Sequence, residues 1–209
     1  VYRSRAASSI DDFIAVERVE ILRGPQSSVY GKNTPAGVIS IITKKPQREF
    51  GLDLEQTVGD YSARITRGSV TGPINESVSY RVSGNYNSRD GYIDNVQENR
   101  DSVNDRDRYA LRGQLLVEPS DELSIRIIAD TASITEDCCG APFFFNLPAN
   151  AARTTALGAT LLPDNIYNRE IKFDRALETD QEQSGFSAQV DWEHDSFTFT
   201  SLSALRDFE

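Results

Sequence analysis

Few side chains in this chain could do covalent chemistry. It has one histidine, His194, beside Asp195 in a short polar stretch. A lone imidazole supplies neither a catalytic triad nor a multi-histidine metal site, and a solvated turn residue is the plain reading. The two cysteines are adjacent, Cys138-Cys139, and lead into Gly140-Ala141-Pro142. Glu136 and Asp137 are the only carboxylates close by, and two neighbouring thiolates make a poor tetrahedral site. With no activating cation adjacent, a vicinal disulfide or a loop constraint fits the pair better than a redox catalyst. Phe143-Phe144-Phe145 follows at once. Loop packing is favoured there over an apolar contact surface for a ligand or partner. Gly59, Gly68 and Gly72 read as strand and turn positions, not as a phosphate-binding loop. The sequence therefore offers no catalytic, cofactor-binding or metal site, and the expectation is that the protein is not an enzyme.

The information lies in how the strands are patterned. Val78, Tyr80, Val82, Gly84 and Tyr86 alternate with Ser79, Arg81, Ser83, Asn85 and Asn87. This period of two marks a strand with one apolar and one polar side. It recurs from Tyr109 to Glu118, from Leu123 to Asp130, from Phe186 to Glu193 and from Phe197 to Thr200, with weaker runs at Leu52–Val58 and Arg64–Thr71. Tight turns are expected at Gly72–Glu76, Pro119–Glu122 and His194–Ser196, and long polar connections at Ser88–Asp107 and Asp137–Glu182. Short turns alternating with long loops are the connection pattern of outer-membrane barrels. A soluble antiparallel sheet with one wet face would alternate in the same way. The hairpin around Gly59-Asp60-Tyr61 departs from the barrel pattern, because its loop is short where a long one is expected.

Composition narrows the classes. Across 209 residues the mean hydropathy is −0.45 and no apolar run approaches the ~20 residues of a membrane-spanning helix. Low hydropathy does not exclude a membrane barrel, whose strands are apolar on alternate positions only. A net charge of −10 argues against nucleic acid as a partner. The chain contains no methionine, begins at Val1 and shows no charged-then-apolar leader, which suits a fragment or a processed chain.

One segment is far more specific than the rest. Val19-Glu20-Ile21-Leu22 is a short β-prone run stopped by Gly24-Pro25. Pro25 suits the first turn of a helix, and Gln26 to Tyr30 can make one or two turns closed by Gly31. Lys32 to Gly37 is loop, and Val38 to Thr43 is a second β run. The ordered series Glu20, Arg23-Gly24-Pro25, Tyr30-Gly31, Asn33, Gly37 and Ile42-Thr43-Lys44-Lys45-Pro46 resembles the C-terminal half of the plug domain in TonB-dependent outer-membrane receptors.

That resemblance implies a mainly β protein. Residues 1–48 would be the C-terminal part of a small α+β plug, and 49–209 about seven antiparallel strands of an incomplete 22-stranded transmembrane barrel. The two plug runs would lack strand partners from the other half of a plug. Tyr86 and Tyr109 would lie near the outer interface, and Trp192 and Phe197 near the inner one. The implied setting is the outer membrane of a Gram-negative bacterium. The implied activity is uptake of a scarce nutrient, most commonly a ferric siderophore, driven by a TonB-type energy-coupling protein whose binding box is not in this sequence. Glycan and cobalamin uptake are alternatives, and a soluble β-rich binding or adhesion module is the alternative from another class. In the family, charged plug residues face acidic barrel residues near the periplasmic side. Glu20 and Arg23 match the plug half of that arrangement, with the barrel partners expected beyond Glu209.

Overall fold

The computed structural model describes residues 14–31, 34–97, 101–142, 146–158, 161–162, 165–173, 175 and 177–209. Asn33 and Phe143-Phe144-Phe145, singled out above, lie outside them. The chain opens with strand β1 (Val16–Arg23), a single helical turn α1 (Ser27–Tyr30) and strand β2 (Gly37–Thr43). β1 and β2 pair antiparallel, Val19 with Ile41 and Leu22 with Val38. The two runs thus pair with each other as a two-stranded sheet. Gly37 makes the pairing possible. Its φ is +149°, and a Cβ there would lie 2.5 Å from the Leu22 carbonyl oxygen.

Seven longer strands follow: β3 (Gly51–Val58), β4 (Arg64–Asn75), β5 (Val78–Arg89), β7 (Arg106–Ser120), β8 (Leu123–Asp137), β10 (Glu178–His194) and β11 (Phe197–Phe208). They form one antiparallel meander in chain order, open at β3 and β11. The loop after β5 carries β6 (Asp94–Asn95). The loop after β8 carries helix α2 (Pro148–Ala156), a 3-10 turn (Ile166–Asn168) and β9 (Glu170–Ile171). β8 and β10 reach 15 and 17 residues, well past the alternation that marked them. Their outer halves carry Thr131, Thr135, Asp180 and Glu182 on the apolar side, which hides the period.

The sheet is inside-out. Its buried side chains are Ser69, Thr71, Ser79, Arg81, Ser83, Asn85, Asn87, Gln114, Glu136 and a single aliphatic residue, Leu116. All lie on the inward face. The other face is apolar and open. In register across the strands run Leu52, Val70, Val82, Gly113, Ala129, Phe186 and Leu205. Val82 is 41% exposed and Phe186 51%. A soluble sheet would bury this face in its core; a barrel turns it to lipid. Tyr86 and Tyr109 are direct cross-strand partners toward the long-loop end, and at the other end the Trp192 and Phe197 rings meet edge-on at 5.8 Å. His194 ends β10, exposed, and stacks on Phe197.

At the long-loop end Asn104 N–H donates to the Asp137 carbonyl, and Asp137 N–H to the Asp105 carboxylate at 2.6 Å. Burial pushes the Asp105 carboxyl above its ordinary range, opposed in part by that N–H. A carboxyl raised by folding stabilises most below its unfolded pKa, and that contribution is lost as pH rises through the folded value. Asp105→Asn keeps the acceptor without the charge. At pH 7 it should leave amide exchange at Asp137 as slow as in the parent or slower, whereas Asp105→Ala should weaken the junction by about 1 kcal/mol.

Face assignment gives a sharper test. Val82→Arg, on the outward face, should destabilise the full-length protein in bilayers by about 2–4 kcal/mol. The alternation puts the neighbouring Ser83 on the polar side, where arginine is expected to cost little. The structure corrects that: Ser83 is 1% exposed and its hydroxyl lies 3.0 Å from that of Ser69. Ala204, inward and exposed, is the proper control. Equal losses for Val82→Arg and Ala204→Arg in urea titrations would overturn the assignment.

Candidate functional site

The inward face meets the chain that leaves β2. Residues 44–47 belong to no strand, so their backbone groups need other partners. The wall supplies them. Arg126 donates to the Thr43 hydroxyl (3.3 Å), Gln114 to the Lys44 carbonyl (3.2 Å) and Arg81 Nε to the Lys45 carbonyl (3.0 Å). Gln47 N–H donates to the Thr71 hydroxyl (2.9 Å), and Lys44 pairs with Asp53 at 3.3 Å. Pro46 is buried between these contacts and has no N–H to leave unsatisfied.

Arg81 is the centre of this seat. It is only 2% exposed. Beside the Lys45 carbonyl it bonds the Ser69 hydroxyl (2.8 Å) and the Gln47 side-chain oxygen (3.3 Å). A guanidinium tolerates such burial because its planar fork offers several donors in fixed directions. Arg126 is oriented by Gln114, whose oxygen takes two of its N–H bonds. Further along the wall, Asp130 lies between Arg112 (3.5 Å) and Arg206, which reaches it across β10. Gly185 lets it through: a Cβ there would lie 2.8 Å from Asp130 and 3.0 Å from Arg206. Glu136, buried, is gripped by Arg108.

The residues marked in the sequence lie elsewhere, in the β1–α1–β2 unit. Glu20 is bonded by Arg18 (2.7 Å) on the same strand. Arg23 pairs with Gly37 across the hairpin and is exposed. Gly24 N–H donates to the Ala36 carbonyl (3.1 Å), Pro25 precedes α1, Tyr30 ends it, and Gly31 N–H closes the turn on Ser27 (3.2 Å). Gly24 and Gly31 both have positive φ. This motif shapes a compact clip. The seat itself was missed by motif reading, although Arg81, Gln114 and Arg126 all stand on the polar side of the alternation. That pattern was the available signal. Among the described residues no group of three or more His, Cys, Asp or Glu is placed to hold a metal. The arrangement can bind and hold chain.

The family model described as the TonB-dependent Receptor Plug Domain matches residues 2–38. The chain is 27% identical over 115 residues to the ferrioxamine receptor of Yersinia enterocolitica, covering 55% of this chain and 15% of that one. It is 30% identical over 135 residues to the metal-pseudopaline receptor CntO of Pseudomonas aeruginosa, covering 64% and 17%. The chain thus spans under a fifth of either relative's length. Among solved structures, the ferric yersiniabactin uptake receptor FyuA of Yersinia pestis shares the fold with a TM-score of 0.79 at 18% identity, over 94% of this chain and 29% of that one.

Replacing Arg81 tests the seat. Arg81→Ala leaves the Lys45 carbonyl, Ser69 and Gln47 without their donor and should cost about 1–3 kcal/mol. Arg81→Lys should restore only part of this, since an ammonium cannot span the three acceptors in the same plane. Accelerated proteolysis of the 44–50 segment in the folded protein is the readout.

Proposed function

We infer that this chain, a TonB-dependent receptor segment by its plug sequence and its barrel-wall fold, contributes plug (residues 1–48) and first barrel strands (49–209) to an outer-membrane receptor for energy-coupled nutrient uptake. The observation that carries this reading is the inverted sheet. Its polar face, with Arg81 at the centre, is filled by the chain leaving the plug, and its apolar face is left for lipid. A soluble binding or adhesion module would need the opposite burial. The membrane is the outer membrane of a Gram-negative bacterium, with the long loops outside and the turns at 76–77, 121–122 and 195–196 inside.

The cargo is a ferric siderophore or a related metal chelate. Support comes from the relatives, named as receptors for ferrioxamine and metal-pseudopaline; glycan and cobalamin uptake have no such support in those names. Uptake draws on a TonB-type energy-coupling protein, and Glu20 and Arg23 match the charged plug positions that, in the family, face acidic barrel residues. The clip residues Gly24, Pro25, Tyr30, Gly31 and Gly37 shape the β1–α1–β2 unit that carries them.

In cells whose only iron-chelate receptor is the full-length protein, radioiron should accumulate from ferric hydroxamate or catecholate chelates and stop when a protonophore collapses the gradient. Energy-dependent uptake of cobalamin or a glycan, with none of any iron chelate, would overturn the cargo. After mild reduction, a membrane-impermeant thiol reagent should label Cys138 and Cys139 in intact cells. Labelling only after the outer membrane is broken would invert the orientation.

A further inference from the structure

Among the described residues the buried aliphatic cluster lies not in the sheet but above it. Ile93 and Val103, from the loop after β5, pack with Ile171 from the loop after β8, and Tyr92 and Leu177 flank them. The two loops also share backbone bonds. β6 and β9 pair parallel, with Asp94 N–H on the Arg169 carbonyl (2.7 Å) and Val96 N–H on the Ile171 carbonyl (2.9 Å). Asn95 exchanges two bonds with the Phe173 backbone (3.0 and 3.1 Å). Asn104 does the same with Gly140 (2.9 and 3.0 Å). The described parts of the two long loops form one joint cap.

Its seam is built at Cys138-Cys139-Gly140. Cys138 N–H donates to the Leu177 carbonyl (2.9 Å), one step beyond the Asp137–Glu178 pair at the end of the β8–β10 ladder. Gly140, two residues on, enters the cluster, where a Cβ would lie 2.6 Å from Ile171 and 2.7 Å from Val103. Cys138 and Cys139 are joined to each other. The bond closes a small ring around the only two residues between the ladder end and the Gly140 seat, so backbone freedom is removed where the long loop chooses its direction. A cluster this small binds weakly by itself, and a fixed approach of Gly140 offsets much of the cost of ordering the loop.

We propose that the Cys138–Cys139 bond is a redox-sensitive clasp that, closed, holds the two long outer loops as one folded cap and, opened, frees the second loop from the first while the barrel wall stays intact. A small extracellular dithiol opens it. One thiolate attacks a sulfur to form a mixed disulfide, and the reductant's second thiolate displaces the cysteine. Two electrons and two protons pass to the protein, leaving two cysteine thiols and the oxidised reductant as a cyclic disulfide.

The full-length receptor in detergent, oxidised or reduced with dithiothreitol, tests this by hydrogen exchange. Reduction should speed exchange about tenfold or more at the Asp94, Val96 and Gly140 amides and leave Val82 and Gly113 in the wall unchanged. Cys138→Ser with Cys139→Ser should show the fast exchange without reductant and ignore its addition. Gly140→Val, with the disulfide intact, should release the same amides by filling the seat. Unchanged protection of the cap on reduction, or an equal loss in β5 and β7, overturns the proposal. Neither outcome depends on what the receptor carries.

Discussion

The Arg81 guanidinium has almost no contact with solvent, and its bonds go to the Lys45 carbonyl, Gln47 and Ser69. A sheet with lipid on one side must satisfy its polar groups on the other, since hydrocarbon offers neither donors nor acceptors. The wall cannot do that alone, because the guanidiniums of Arg81 and Arg126 only donate and take acceptors beyond Ser69 and Gln114. The chain leaving β2 can, because residues 44–47 form no ladder and present free carbonyls. Each side thus solves the other's problem. The plug's exit needs acceptors' partners, the wall needs acceptors, and the two are locked in register.

The same demand explains how charge is sorted within the wall. Arginines at 67, 81, 112, 126 and 206 all stand inward, where carboxylates or neutral oxygens reach them. Asp130 serves two of them, and Gly185 is a glycine because Arg206 must pass over it. The outward side carries few charges until the strands clear the aromatic pair Tyr86 and Tyr109. An acidic chain therefore builds a wall whose inner surface is rich in cations, which net charge alone would not reveal.

Above the wall the usual relation of inside to outside returns. The loops bury Ile93, Val103 and Ile171 as a soluble domain would, and they fasten to one another by side-chain amides and short backbone pairings. Even the short first hairpin joins them: Asp90 N–H bonds the Tyr61 carbonyl, and the Tyr61 and Tyr92 rings lie 6.1 Å apart. Its brevity is consistent with that role, because its neighbours supply the bulk of the cap.

The sequence by itself determined the strand order, the two faces of each strand and the β–turn–helix–loop–β clip. All of these are local: alternation has a period of two, and Gly24, Pro25, Gly31 and Gly37 mark positions where only certain backbones fit. Alternation alone could not tell which face is buried, since a soluble sheet and a barrel share it, and only the resemblance of the plug segment implied that the apolar face turns to lipid. It placed Ser83 on the polar side but could not show that the hydroxyl is packed against Ser69. It missed the outer halves of β8 and β10, where polar residues occupy both faces once the strands leave the apolar layer. The pairing of β1 with β2, the seat for Lys44, Lys45 and Gln47, and the meeting of Gly140 with Ile171 were decided only by the tertiary structure. Each joins residues distant in the chain through directional hydrogen bonds or close packing, and no local pattern encodes such a meeting.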